Sequence, residues 1–391
     1  SSDVCSSDLV TIVSASDELQ GDVYVENGKI AEVGPSINRS AELEIKDSGL
    51  HLLPGIIDPH VHFRDPGCEW KEDLESGSMS AAAGGVTSFF DMPNTVPSTI
   101  TCEAMANKKA IAKEKSLVNY NFFIGATAEN LNELKQVENV AGIKIYVGSS
   151  TGNLLVDEQD ALKAIFEQTT PLIAVHSEDE TMVRENQKRY AESTDVLDHL
   201  NIRTAEAAVV CTKRLLALAS ETERRLHICH LTTKDEALLL KDNKPSFITT
   251  EVTPQHLLLH APDIYNRIGT FAQINPPLRD KSHADVLWQC LKSGVIDLVA
   301  THHAPHTIEE KKKGFGQAPS GMPVIENSLS LMLTLVNQGK CSLQEIVRWM
   351  CEKPAELFKI ANKGRIEVGY DADLVLVDLN AERVIKNRSE E

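Results

Sequence analysis

Lys144 lies in Gly142-Ile-Lys-Ile-Tyr-Val-Gly148, a short apolar run that reads as a buried strand. An unmodified lysine has little reason to be there unless it snorkels from a strand end. Carbamylation would turn its amine into an anionic carboxylate on a long arm, a group able to bridge two metal ions. His60, His62, His176 and His230 are the side-chain types that complete such a pair. His60 and His62 stand two residues apart on an extended segment, so both imidazoles face one side. His176 and His230, taken singly, read as core histidines. What sets them apart is that each, like His302, follows an expected strand. Two bridged ions would lower the pKa of a shared water and polarise a carbonyl, which suits hydrolysis of an amide. No thiolate belongs to the set, which favours zinc or a similar borderline ion.

Such side chains need a scaffold that brings strand ends together. Apolar runs near 56–61, 86–91, 120–125, 142–147, 171–175, 226–229, 246–250 and 296–300 read as strands. Helical patterns fall between most of them, at Glu103–Glu114, Asp157–Gln168, Arg203–Ser220 and Ser282–Leu291. This α/β alternation predicts a (β/α)8 TIM-like barrel, whose chemistry gathers at the C-terminal ends of its strands. In that fold His60 and His62 follow the first strand and Lys144 lies in the fourth. His176 ends the fifth, His230 the sixth and His302 the eighth.

Residues 9–53 read as short alternating strands with a turn at Asn27-Gly28. Leu374-Val-Leu-Val-Asp378 reads as another strand. The expected division is therefore a barrel over 54–355 and a small β-sandwich built from both chain ends, 9–53 and 356–386. Residues 1–8 and 387–391 are read as non-native ends and left out of the fold.

Composition narrows the function classes. The 391 residues are 42% hydrophobic, enough for one large barrel and a small accessory domain. A net charge of -18 argues against a nucleic-acid partner, because nothing would offset phosphate repulsion. The basic run Lys311–Lys313 follows Glu309 and Glu310 and reads as a solvated loop. Eight cysteines without a CxxC pair suit reduced thiols in a cytoplasmic protein. No apolar run approaches the ~20 residues that span a bilayer.

Five segments together carry a family likeness. Asp58-Pro-His-Val-His-Phe-Arg-Asp-Pro-Gly67, Asp91-Met-Pro-Asn-Thr95, Lys144-Ile-Tyr-Val-Gly-Ser-Ser-Thr-Gly152, Asn275-Pro-Pro-Leu-Arg279 and Ala304-Pro-His306 resemble the signatures of dihydroorotases, cyclic amidohydrolases of the amidohydrolase superfamily. The resemblance runs from about residue 10 to about 380. The arginine after the His-Val-His motif and the Met-Pro-Asn-Thr segment favour dihydroorotase over dihydropyrimidinase or allantoinase. The resemblance implies that His60 and His62 bind one metal, His176 and His230 the other, and that carbamylated Lys144 bridges two zinc ions. It implies that Arg64, Asn94 and His306 grip the substrate carboxylate, that Asn275 hydrogen-bonds the ring, and that Gly314–Gly321 closes as a lid. The alternative for Arg64 is a salt bridge to Asp65 or Glu69, and for Asn94 a turn terminus. Expected partners are the small-molecule substrate and either a second copy or aspartate carbamoyltransferase.

One departure bears on catalysis. Such enzymes read Thr-Asp-His-Ala-Pro-His after the eighth strand, whereas this chain reads Thr301-His-His-Ala-Pro-His306. The resemblance assigns the missing aspartate to the first metal and to a proton shuttle. His302 keeps a metal ligand and gives up the carboxylate's second oxygen. His303 and His306 are near in sequence. Gln255 in Thr253-Pro-Gln-His256 is a second departure, where two histidines are common. Two rival readings follow: an allantoinase- or hydantoinase-like cyclic amidohydrolase, and an inactive dihydroorotase-like subunit that supports aspartate carbamoyltransferase.

Overall fold

A computed structural model describes residues 4–46, 49–148, 154–382 and 384. Strands β1 (Val4–Val13), β2 (Glu18–Glu26), β3 (Lys29–Gly34), β4 (Leu43–Lys46) and β5 (His51–Pro54) come first. Eight strands follow: β6 (Ile56–Val61), β7 (Val86–Asp91), β8 (Asn119–Gly125), β9 (Gly142–Tyr146), β10 (Ile173–His176), β11 (Leu226–Ile228), β12 (Ile248–Val252) and β13 (Leu298–Val299). The last strand is β14 (Leu374–Val377). The chain divides into two compact units. One holds Ser1–Asp58, Ser80–Ser88 and Glu326–Glu391, and the other holds Pro59–Met79 and Phe89–Ile325.

Both β-rich ends belong to the first unit. Their strands form one six-stranded sheet in the order β14-β5-β1-β2-β3, with β4 beside β1. Asn27 and Gly28 both take positive φ, 53° and 75°, which is the hairpin geometry that Asn-Gly favours between β2 and β3. Val10, Ile12, Val23, Ile30 and Leu52 form the core of this sheet. Pairing of β1 begins at Val4, inside the segment set aside as an end, while 387–391 lie outside the described residues. The helical segment after Glu326 also falls in this unit, ahead of the boundary expected at 355.

Strands β6 to β13 lie side by side in sequence order in one eight-stranded sheet. Val61 and His303 form a parallel bridge, and His62 N donates to His303 O at 2.7 Å, which ties the end of the first strand to the segment after the last. This is the nearly closed parallel barrel that the alternation predicts. Helices Cys102–Lys115, Gln159–Gln168, Ala205–Thr222 and Lys281–Lys292 lie within two residues of their expected bounds. β12 starts at Ile248, two residues late, because Ile248 N turns back to Pro245 O at 3.0 Å.

The barrel interior explains how β9 tolerates a lysine. Every residue of Gly142–Tyr146 is buried. Ile143 and Ile145 take one face of the strand, and Lys144 and Tyr146 take the other. Lys144 pairs with Gly125 on β8 and with Ala174 on β10, so the smallest side chains flank it.

Candidate metal centre

The imidazoles named from the sequence meet in one place. His60 lies within β6 and His62 just past its end; His176 is the last residue of β10. His230 and His302 follow β11 and β13, and both take positive φ, 35° and 51°. Ring centroids are 5.2 Å apart for His60 and His62, 4.5 Å for His60 and His302, and 5.0 Å for His62 and His302. His230 lies 4.7 Å from His302 and 4.9 Å from His176. One donor nitrogen from each of His60, His230 and His302 falls within 4.8 Å of the others. Lys144 is fully buried.

The far nitrogen of three rings is held by an oxygen. His60 Nδ1 bonds the Glu251 carboxylate, His62 Nδ1 meets Asn94 Oδ1 at 2.6 Å, and His176 Nε2 meets Glu178 Oε2 at 2.7 Å. An oxygen acceptor on one ring nitrogen fixes the tautomer and leaves the other as a lone-pair donor, the usual surroundings of a metal-bound histidine. His176 Nδ1 then lies 3.1 Å from His230 Nε2, close enough for one ion to take both. Burial drives His60 down to about 4 against the pull of Glu251. Burial, followed by the charges of neighbouring histidines, holds His62, His230 and His302 well below the ordinary imidazole value. Neutral imidazoles are the form that binds metal. The donor set fits divalent ions.

A sequence profile of the amidohydrolase family matches residues 51–390. This chain belongs to the amidohydrolase family. The amidohydrolase is 37% identical to a dihydroorotase of Methanothermobacter thermautotrophicus over 371 residues, 93% of this chain and 82% of that protein. It is 35% identical to a dihydroorotase of Pyrococcus horikoshii over 373 residues, 94% and 81% of the two chains. Among solved structures, an L-hydantoinase (dihydropyrimidinase) from Arthrobacter aurescens superposes with a TM-score of 0.91 at 31% identity, covering 96% of this chain and 86% of its own. Members of this family use divalent metal, in keeping with the donor set.

The expected substrate ligands of the amidohydrolase line cavities. Arg64, Asn94 and His306 line one cavity of about 1230 Å³, together with Lys71. Asn275 lines another, of about 330 Å³, with His199, Arg203 and Phe315. Asn275 Oδ1 is buried there without a hydrogen-bond partner among the described residues. Arg64 does not pair with Asp65 or Glu69. Asp65 is bound by Lys115 at 2.7 Å, and Glu69 accepts from Gly67 N at 2.7 Å. The Arg64 guanidinium instead donates from Nε to Pro305 O at 3.0 Å, and Nη2 lies 3.2 Å from His306 Nε2. Asn94 does more than end a turn, since its oxygen holds His62. In the expected lid, Phe315, Gly316, Ala318 and Ser320 line the cavity of Asn275. That loop is pinned by Lys311 Nζ, which donates to Gln273, Pro319 and Gly321 carbonyls at 2.9–3.1 Å. Gly148 ends the described part of the Lys144 motif; Ser149–Gly152 lie outside the described residues.

Sequence reasoning missed two carboxylates. Glu251 on β12 is fully buried and serves three groups: His60, His227 Nε2 at 2.9 Å and His230 N at 3.1 Å. Glu178 joins His176 to the Arg203 guanidinium. An acidic residue inside an apolar strand, or two residues past a candidate ligand, was the available signal. Burial opposes ionisation of Glu178, but Arg203 and then His176 outweigh it and hold the carboxyl down at about 2. Replacing Arg203 with leucine should cost about 3–5 kcal/mol, because a buried charge loses its partner. Urea unfolding measures this. The native carboxyl titrates below its unfolded value, so the pair's contribution is complete above about pH 4.5 and fades as the pH falls toward 2. The variant should lack that acid-side dependence.

Proposed function

We propose that this amidohydrolase is a metal-dependent dihydroorotase, interconverting (S)-dihydroorotate and N-carbamoyl-L-aspartate in cytoplasmic de novo pyrimidine synthesis. The observation that carries the reading is the Arg64–His306 pair, 3.2 Å apart in a cavity also lined by Asn94, whose oxygen meets His62. Dihydroorotate carries a ring carboxylate, whereas hydantoin and allantoin carry none. A guanidinium offers that carboxylate a bidentate fork. Similarity to dihydroorotases over more than nine-tenths of the chain agrees with the choice.

His60 and His62 would hold one zinc ion, His176 and His230 a second, and a carbamate on Lys144 would join them. When bound, the pair supplies a hydroxide near neutral pH and polarises the scissile carbonyl. Glu251, Asn94 and Glu178 keep His60, His62 and His176 in their donor tautomers. Arg64 orients the substrate through its carboxylate. His302 occupies the proton-shuttle position and lacks the second oxygen of a carboxylate. His303 does not replace it. Its Nδ1 accepts from Val324 N and Ile325 N at 3.0 and 3.2 Å, and Nε2 donates to Glu72 at 2.9 Å.

Turnover of dihydroorotate, hydantoin and allantoin by zinc- and bicarbonate-loaded protein tests the reading. Preference for dihydroorotate is the expected result, and faster hydrolysis of hydantoin would overturn it. Co-purification with aspartate carbamoyltransferase without turnover would support the inactive-subunit alternative raised by His302. Replacing Arg64 with lysine should raise the KM for dihydroorotate about 10–100-fold, the effect of losing one charge-assisted hydrogen bond. Steady-state kinetics should show a smaller change in kcat.

A further inference from the structure

The Lys144 amine has an unusual neighbour. Nζ donates to Cys229 Sγ at 3.0 Å, with both side chains buried, and lies 5.2 Å from the centre of the Tyr146 ring. Cys229 follows β11, two strands away from Lys144, and its N–H donates to Val175 O at 3.0 Å. The backbone of Cys229 is therefore tied to the strand between them. No carboxylate among the described residues bonds the amine.

This neighbour suits a lysine that must react. A carboxylate in the same place would hold an ammonium as an ion pair and take the nitrogen lone pair out of play. A thiol is a weak acceptor that positions the nitrogen without that cost. Carbamylation joins Nζ to the carbon of CO₂, opens one C=O π bond to a carboxylate, and releases one N–H proton to solvent. The product keeps a single N–H on a planar nitrogen. If that N–H stays on the sulfur, trigonal geometry turns the new carboxylate away from Cys229.

We infer that Cys229 is a positioning residue for the carbamate on Lys144: its sulfur accepts the remaining N–H and so sets which way the bridging carboxylate faces. The inference rests on carbamylation of Lys144. Outer-shell partners of metal ligands commonly govern affinity by 10–100-fold, and Cys229 stands in that relation to Lys144.

The test loads protein with ¹³C-bicarbonate and zinc, then reads the carbamate carbon by NMR and metal equivalents per chain by elemental analysis. Cys229→Ala should need at least about tenfold more bicarbonate for half occupancy and should hold fewer than two metal equivalents. Cys229→Ser, which keeps an acceptor at that point, should recover most of both. Should Cys229→Ala fold poorly by circular dichroism, Cys229→Val carries the same expectation with the volume retained. Parent-like bicarbonate dependence in the alanine or valine variant overturns the role of the sulfur. A parent protein with no carbamate signal at saturating bicarbonate overturns the lysine modification itself, and this inference with it.

Discussion

Replacing His302 with aspartate should raise dihydroorotate turnover at least about tenfold, against the ~10²–10⁴ that general acid–base help typically supplies. The argument begins with what the ring can offer. His302 packs 4.5, 5.0 and 4.7 Å from the rings of His60, His62 and His230, in a pocket where burial keeps it uncharged near neutrality. An imidazole that faces an ion with one nitrogen has only its other nitrogen left, directed away from the reacting atoms. A carboxylate can face the ion with one oxygen and still take the proton of the attacking water on the second, passing it to the leaving nitrogen. The backbone tolerates the exchange. His302 has φ +51°, a left-handed conformation that aspartate adopts readily. With metal content matched, equal rates for the two proteins would remove the shuttle argument.

Local pattern carried much of the fold because barrel strands and their helices announce themselves in short windows. β9 runs over 142–146 against an expected 142–147, and β7 coincides with 86–91. The candidate ligands were legible for the same reason: a strand end fixes where its histidine goes, whatever the rest of the chain does. The groups that hold those ligands were not. Glu251 meets His60 across 191 positions of sequence, and no periodicity in either neighbourhood encodes that meeting. Asn275 shows a related limit. Its motif marks it as special, yet its cavity is lined by Gln273 and Ser320, joined by a hydrogen bond across 47 positions that no local pattern encodes. Gln255 is also absorbed locally, donating to Thr301 O at 2.8 Å next to His302. Pattern finds what one strand decides; partners chosen by two distant strands emerge only with the fold.

Lys144→Met should abolish the proposed two-metal state and lower turnover by more than the ~10–100-fold that losing an outer-shell partner costs. The substitution nearly conserves volume and leaves a straight apolar chain between Gly125 and Ala174, so the strand should keep its packing. Removing an amine that is wholly out of solvent and bonded to a weak acceptor should leave stability unchanged or improved. These opposite signs separate the rival accounts of this residue. A snorkelling lysine needs its head in water, and this one has no exposed surface. A lysine retained for packing alone would leave metal content and turnover as they were while shifting the unfolding midpoint. Elemental analysis, steady-state rates and urea unfolding of one variant therefore decide the matter. Two metal equivalents and parental turnover in Lys144→Met would show that the amine bridges nothing.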